Sequence, residues 1–493
     1  MFRNLKRKSV YVVMSVIASL LFTSIAVAQD APNSADDLPG SGWWTGIQLQ
    51  NIGAAKATVS INSYQSTAGS TPIGKSVEIL KDASTTLLPQ DLNLSNGFQG
   101  SAVVSSDQPL NAIVNVTNLE ALGNGVANGY AAAQYQGVNA PATDLRFPLV
   151  KRDHNGKTTT FSIQNAGSVA ATATATFKVG AGEFTFTTPS IEPGRMVIIN
   201  PAAAGVPAGK DVSLGSLTVT SSQPLAGVVS EHGSENPAVQ LQSTRAFTPQ
   251  DFNATLYAPI IKSEFKGRFT GLQVQNVSDN DSLTINVTYT GGEGCVGQTF
   301  TSSATGVKKG ASATFVHLAG GNNPMPAGCL ASAVVNAPGG QVVAIVNEAF
   351  TGSGLAGNGG RQESTTYSAF AASAATTTVK APLYKENSNN KATGLQVQNV
   401  GNAKATNVIA TFTDANGTSY VTTAHSIEKG AAWTIIDMYK KPAEFNGTTI
   451  IGGVYGVTVT SDQPIVAIAN ESTYPFGNSP KKQDKNNYEA FNK

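Results

Sequence analysis

One phrase occurs four times along this 493-residue chain, and internal repetition limits the fold more than any single residue does. Thr45-Gly46-Ile47-Gln48-Leu49-Gln50-Asn51 returns as Thr270-Gly271-Leu272-Gln273-Val274-Gln275-Asn276 and as Thr393-Gly394-Leu395-Gln396-Val397-Gln398-Asn399, with a looser copy ending Ile163-Gln164-Asn165. The Gln-Asn pair recurs at intervals of 114, 111 and 123 residues. A second phrase follows each copy: Ser105-Ser106-Asp107-Gln108-Pro109, Ser221-Ser222-Gln223-Pro224 and Ser461-Asp462-Gln463-Pro464, with Gly340-Gln341 in the third unit.

Within each unit the apolar period is two. Leu272 and Val274 alternate with Gln273 and Gln275, and Leu395 and Val397 with Gln396 and Gln398, as in a half-buried antiparallel strand. The Asp-Gln-Pro stretch reads as a turn between strands, because proline cannot donate to a ladder. Short strands punctuated by Gly and Asn in units of about 115 residues predict two-sheet sandwiches. The fold class expected is all-β: four tandem immunoglobulin-like β-sandwich domains after a cleaved signal peptide. Pro148-Leu149-Val150-Lys151, Pro259-Ile260-Ile261-Lys262 and Pro382-Leu383-Tyr384-Lys385 open units two to four, and Phe247, Phe370 and Phe491 mark their closing strands. The expected divisions are 1–28 signal peptide, then sandwiches over 29–137, 147–248, 258–371 and 381–493. Connectors of constant length favour a regular array of domains, read here as a rod. Unit one has no Pro-apolar-apolar-Lys phrase and is expected to lack its opening strand.

Arg3, Lys6, Arg7 and Lys8 precede an apolar run that ends Ala26-Val27-Ala28, the pattern of a secretory leader cut before Gln29. Without those four basic residues the formal charge of +1 becomes about −3. Charged residues form 13% of the chain against roughly 25% in an average globular protein. With no Lys/Arg stripe and no interleaved aromatics, nucleic acid is excluded as an expected partner. No transmembrane segment is expected in the mature chain. Cys295 and Cys329, both in the third unit, are expected to pair in an oxidising compartment.

A strand ending Val-Gln-Asn, a G-x-x-x-T stretch and a strand of the type Thr460-Ser461-Asp462-Gln463-Pro464-Ile465-Val466-Ala467-Ile468-Ala469-Asn470-Glu471 together resemble immunoglobulin-like repeats of exported bacterial cell-surface proteins, of the cell-adhesion-related-domain type. The resemblance spans all four units. It implies an extracellular β-sandwich acting in adhesion, assembly or surface coating, and carries over no catalytic residue.

Candidate sites are few. Trp43 and Trp44 are adjacent on a strand, so one should enter the core while the other points out, where it could stack on a glycan or a partner. Glu231, Glu348 and Glu471 recur where unit one has Val116; they either pin a loop or, with Asn347 or Asn470, ligate calcium. Asp279 and Asp281 offer further calcium-friendly oxygens. His154, His232, His317 and His425 have no metal-spaced partners and are expected in incidental surface or loop positions. Gly352 to Gly357 fits G-x-G-x-x-G but precedes no helix, so it reads as a loop rather than a phosphate site. No cofactor is expected beyond the calcium candidate. The function expected is a non-enzymatic, secreted or cell-surface structural protein that meets itself, surface polysaccharide or other surface proteins. A carbohydrate-binding array is the first alternative and an extracellular hydrolase the second.

Overall fold

The computed structural model describes residues 12–16, 38–39, 42–81, 83–118, 132–210, 212–233, 241–318, 323–350, 364–388, 391–414, 416–473, 485–489 and 491–492. These residues are strands and turns, with short 3-10 turns such as Pro249–Asp251 and Ala372–Ala374 as the helical elements. No helix among them is long and apolar enough to cross a membrane.

The repeated phrase forms one strand per unit, Trp43–Asn51, Lys157–Asn165, Arg268–Asn276 and Lys391–Asn399, here called the amide strands. Unit three shows the layers most plainly. One sheet orders Thr299–Val307, Leu283–Gly291, Cys329–Asn336, Thr255–Ser263 and Phe370–Ala371; the other orders Ser312–Val316, Arg268–Asn276, Val342–Phe350 and Ser364–Ser368. The period of two places Leu272 and Val274 between the sheets, where they meet Ile285, Val287, Tyr289 and Val335 in one core cluster. Antiparallel pairing of Leu272 with Val346 and of Val274 with Ala344 fixes the register, since a slip of one residue would bring the glutamines inside. An immunoglobulin constant domain sets A-B-E-D over C-F-G; this sandwich instead places its opening strand beside the sixth.

Units two and four differ in one respect. Their sixth and seventh strands run unbroken as Leu214–Gly233 and Gly453–Thr473, so Gln223-Pro224 and Gln463-Pro464 sit within a strand that passes from one sheet to the other. In units one and three the chain does turn there, at 107–109 and 337–341.

Opening strands Ala142–Lys151, Thr255–Ser263 and Thr376–Glu386 begin a few residues ahead of the boundaries expected from the proline phrases. In unit one the corresponding place, antiparallel to Gly100–Ser106, holds Val12–Val16, from the segment that the sequence reading expects to be a leader. Residues 17–37 lie outside the described residues.

The array is not a rod. The closing strands Ala132–Gln136, Leu241–Arg245, Ser364–Ser368 and Lys485–Glu489 lie side by side in sequence order, and the fourth returns to the first. Four sandwiches therefore surround a common centre. The short connectors that suggested a stiff line instead hold successive units in the same turned relation.

Candidate functional site

The repeated residues act at three levels, inside the unit, at its ion-pair cluster and between units. Inside the unit, the Asn of each phrase is fully buried. Its Nδ2 donates to two carbonyls and its Oδ1 accepts an N–H two residues on. For Asn165 the partners are Val169 O at 2.8 Å, Ile191 O at 2.8 Å and Gly167 N at 2.8 Å; Asn51, Asn276 and Asn399 repeat the arrangement. A buried amide with every group bonded is a stabilising clamp.

The residue two after this Asn is Gly53, Gly167 or Gly401, and a Cβ there would lie 2.4 to 2.5 Å from the side-chain oxygen of Gln108, Gln223 or Gln463. In unit three the sizes are exchanged: Ser278 replaces the glycine, Gly340 replaces the glutamine, and a Cβ on Gly340 would lie 2.8 Å from Ser278 Oγ. The third unit's departure from Gln-Pro is therefore a matched pair of changes.

The recurring glutamates each lie between two cations. Glu231 is held by Lys151 at 2.9 Å and Lys157 at 3.1 Å, Glu348 by Lys262 at 2.7 Å and Arg268 at 3.7 Å, and Glu471 by Lys385 at 2.6 Å and Lys391 at 3.0 Å. Burial pushes Glu231's carboxyl upward, but the two ammonium groups and their hydrogen bonds outweigh it and hold it down at about 2. Gln242 and, from the next unit, Asn347 also donate to Glu231. Glu348 and Glu471 are thus each paired with two cations, which a bound Ca²⁺ would have to displace. Asp279 is paired with Lys309, and Asp281 accepts the backbone N–H of Lys309. Among the described residues no group of three His, Cys, Asp or Glu is placed to hold a metal. Unit one loses the whole cluster together: Val116 replaces the glutamate and Trp43 stands where Lys157, Arg268 and Lys391 do.

Trp43 is completely buried and its Nε1 donates to Pro39 O at 3.0 Å. Trp44, on the opposite face, is half-buried. One ring thus enters the core as expected, but its neighbour does not stand free as an open stacking platform. His232 and His317 are buried rather than on the surface. His317 lies between Thr270 O and the hydroxyl of Tyr289, at 2.9 and 3.0 Å, and burial holds its pKa down at about 4. His425 stacks on Trp433 and pairs with Glu444. Cys295 and Cys329 are bridged. The glycines at 352–357 lie outside the described residues.

Between units, one hydrogen bond is made three times. Ser101, Ser216 and Ser332 each donate Oγ–H at 2.6 Å to the carbonyl of Gly194, Gly310 or Gly430 in the following unit. The same carbonyls accept from Gln164, Gln275 and Gln398 Nε2 at 2.8, 2.9 and 3.0 Å. Beside this contact Val277, Val343 and Ile345 of unit three pack on Leu149 and Phe247 of unit two, and Val400 and Val466 of unit four pack on Phe370 of unit three. Full burial of one such side chain stabilises by roughly 1.5–3 kcal/mol. Sequence reading missed these junctions. Their signal was the glycine that ends Pro193-Gly194, Lys309-Gly310 and Lys429-Gly430 and is missing from Lys81-Asp82.

No protein-family model matches the chain, and no curated protein matches it. Among solved structures, 22% of the chain is similar to 94% of Thermotoga maritima 1070, at 19% identity and a TM-score of 0.19. A tetra-tandem repeat in the extending region of a large adhesion protein is similar over 92% of this chain and 97% of its own, at 12% identity and a TM-score of 0.10. Likenesses this slight carry no weight for the function.

Proposed function

We propose that this protein is exported and serves as a structural element outside the cytoplasm, in surface assembly or adhesion. The observation that carries the reading is where the repeated polar residues are spent: the Asn clamps, the Glu clusters and the Ser–Gly junctions all hold strands and units to one another. Such investment builds a stiff four-domain scaffold. A basic and apolar leader, a disulfide and a low charge density suit the same setting. Fractionation of the producing cell, with the N-terminus of the protein read by mass spectrometry, tests it. The expected result is a chain starting at Gln29 in the medium or envelope fraction; an uncut chain in the cytoplasm overturns the proposal.

A further inference from the structure

The junction that joins units one to two, two to three and three to four has two unlike halves, and one half of each kind is left exposed among the described residues. The back of unit four and the front of unit one are those halves. At the back, Gly456 stands where Ser101, Ser216 and Ser332 are buried, and it is exposed. Val454, at the position of Leu214, is 45% exposed, while Leu214 packs into the second junction. At the front, Ile52 occupies the place of Val277 and Val400 and is 43% exposed, where those two are buried against the preceding unit. Gln50 is half-buried where Gln164, Gln275 and Gln398 are fully buried.

At the internal junctions a buried serine stands beside the glutamine of the following unit, both bonded to one glycine carbonyl; at the ends Gly456 leaves the serine's place empty of a side chain and Gln50 holds the glutamine's. A head-to-tail interface closes into a ring when its rotation closes and winds into a helix when it does not. Here the closing strands complete the cycle, while among the described residues Ile52 and Val454 remain exposed.

We propose that the fourth junction forms between copies: the back of unit four seats on the front of unit one of a second chain, giving a filament with four units per turn around the closing strands. The inference deepens the structural role proposed above. Cellular fractionation can overturn that role without touching this solution property, and a monomer in solution would overturn the filament without touching export.

The test mixes two single variants of the purified chain, Gln50→Cys and Gly456→Cys, and oxidises them, since Gln275 and Gln398 share a carbonyl with Ser216 and Ser332 at the internal junctions. A Cβ at Gly456 meets nothing within 4 Å, so that substitution is accommodated. The native cysteines are already bridged. A covalent dimer of one chain of each kind is expected, and a ladder from the double variant. By light scattering the mass of the unmodified protein should rise in whole multiples of the chain, Ile52→Lys should return it to one chain, and Val169→Lys, exposed elsewhere, should not. A double variant that cross-links only to itself, a mixture that yields no dimer, or an unmodified protein that stays a single chain at the highest attainable concentration overturns the proposal.

Discussion

Replacing Glu231 by alanine leaves Lys151 and Lys157 buried against each other with no counter-charge. Lys151 is already pushed down by burial and held up mainly by Glu231, so removing the carboxylate forces it to lose its proton or its burial. Breaking a buried pair from one side costs about 3–5 kcal/mol. The pH dependence gives an independent figure. Glu231's carboxyl is lowered from its ordinary 4.5 to about 2 in the folded protein. A lowered carboxyl contributes stability that is complete above pH 4.5 and is lost as the pH falls through about 2, and the shift is worth about 3 kcal/mol. Hydrogen exchange of the amide strand Lys157–Asn165, followed from pH 7 to the acid limit of the fold, reads this locally. The wild type should lose protection below pH 4.5, whereas Glu231→Ala should begin less protected and change little over the same range. A variant within about 1 kcal/mol of wild type at pH 7, with an unchanged acid profile, would refute the view that these clusters hold the strands of a unit together.

Gly340→Gln should destabilise unit three by crowding Ser278 and Leu283, and Ser278→Gly added to it should restore most of the loss; coupling of about 1–3 kcal/mol in a double-mutant cycle is expected, and additivity would refute the matched exchange. Cys295→Ser with Cys329→Ser should cost about 3–4 kcal/mol in urea unfolding of unit three, from the closure entropy of a loop with a separation of 34 residues. Gln164, Gln275 and Gln398 each present a buried Oε1 with no partner, so a crystal structure should show one ordered water at each of these oxygens. If the leader is removed, amides of Gly100–Ser106 on the side facing Val12–Val16 should exchange faster than their counterparts in Leu214–Gly233, and equal protection would mean that another segment fills the place.

The strands and the four units were legible because a period of two and a repeated phrase are local signals: Leu272 and Val274 point inward wherever the unit is placed. The clamp was half legible. Asn51, Asn165, Asn276 and Asn399 announced themselves by repetition, but their partners are backbone carbonyls 26 to 31 residues away, which no side-chain pattern marks. The Glu clusters could have been read whole. Unit one lacks both the lysine of the opening phrase and the glutamate, and a joint loss signals an ion pair rather than a metal ligand. The turn of the array was illegible for a different reason. It depends on the angle at which Ser216 reaches Gly310, and connector length records how far successive units stand apart but not in which direction they turn.

Four sandwiches surround one centre, joined by a junction used three times. Electron microscopy of the purified protein, with small-angle scattering at low concentration, tests this arrangement most directly. Four lobes around an axis are expected in each chain, as separate particles or as successive turns of a filament, with a radius of gyration at low concentration not far above the roughly 23 Å of a compact chain of this length. Four lobes strung in a line, with a pair-distance distribution reaching several domain lengths, would contradict it.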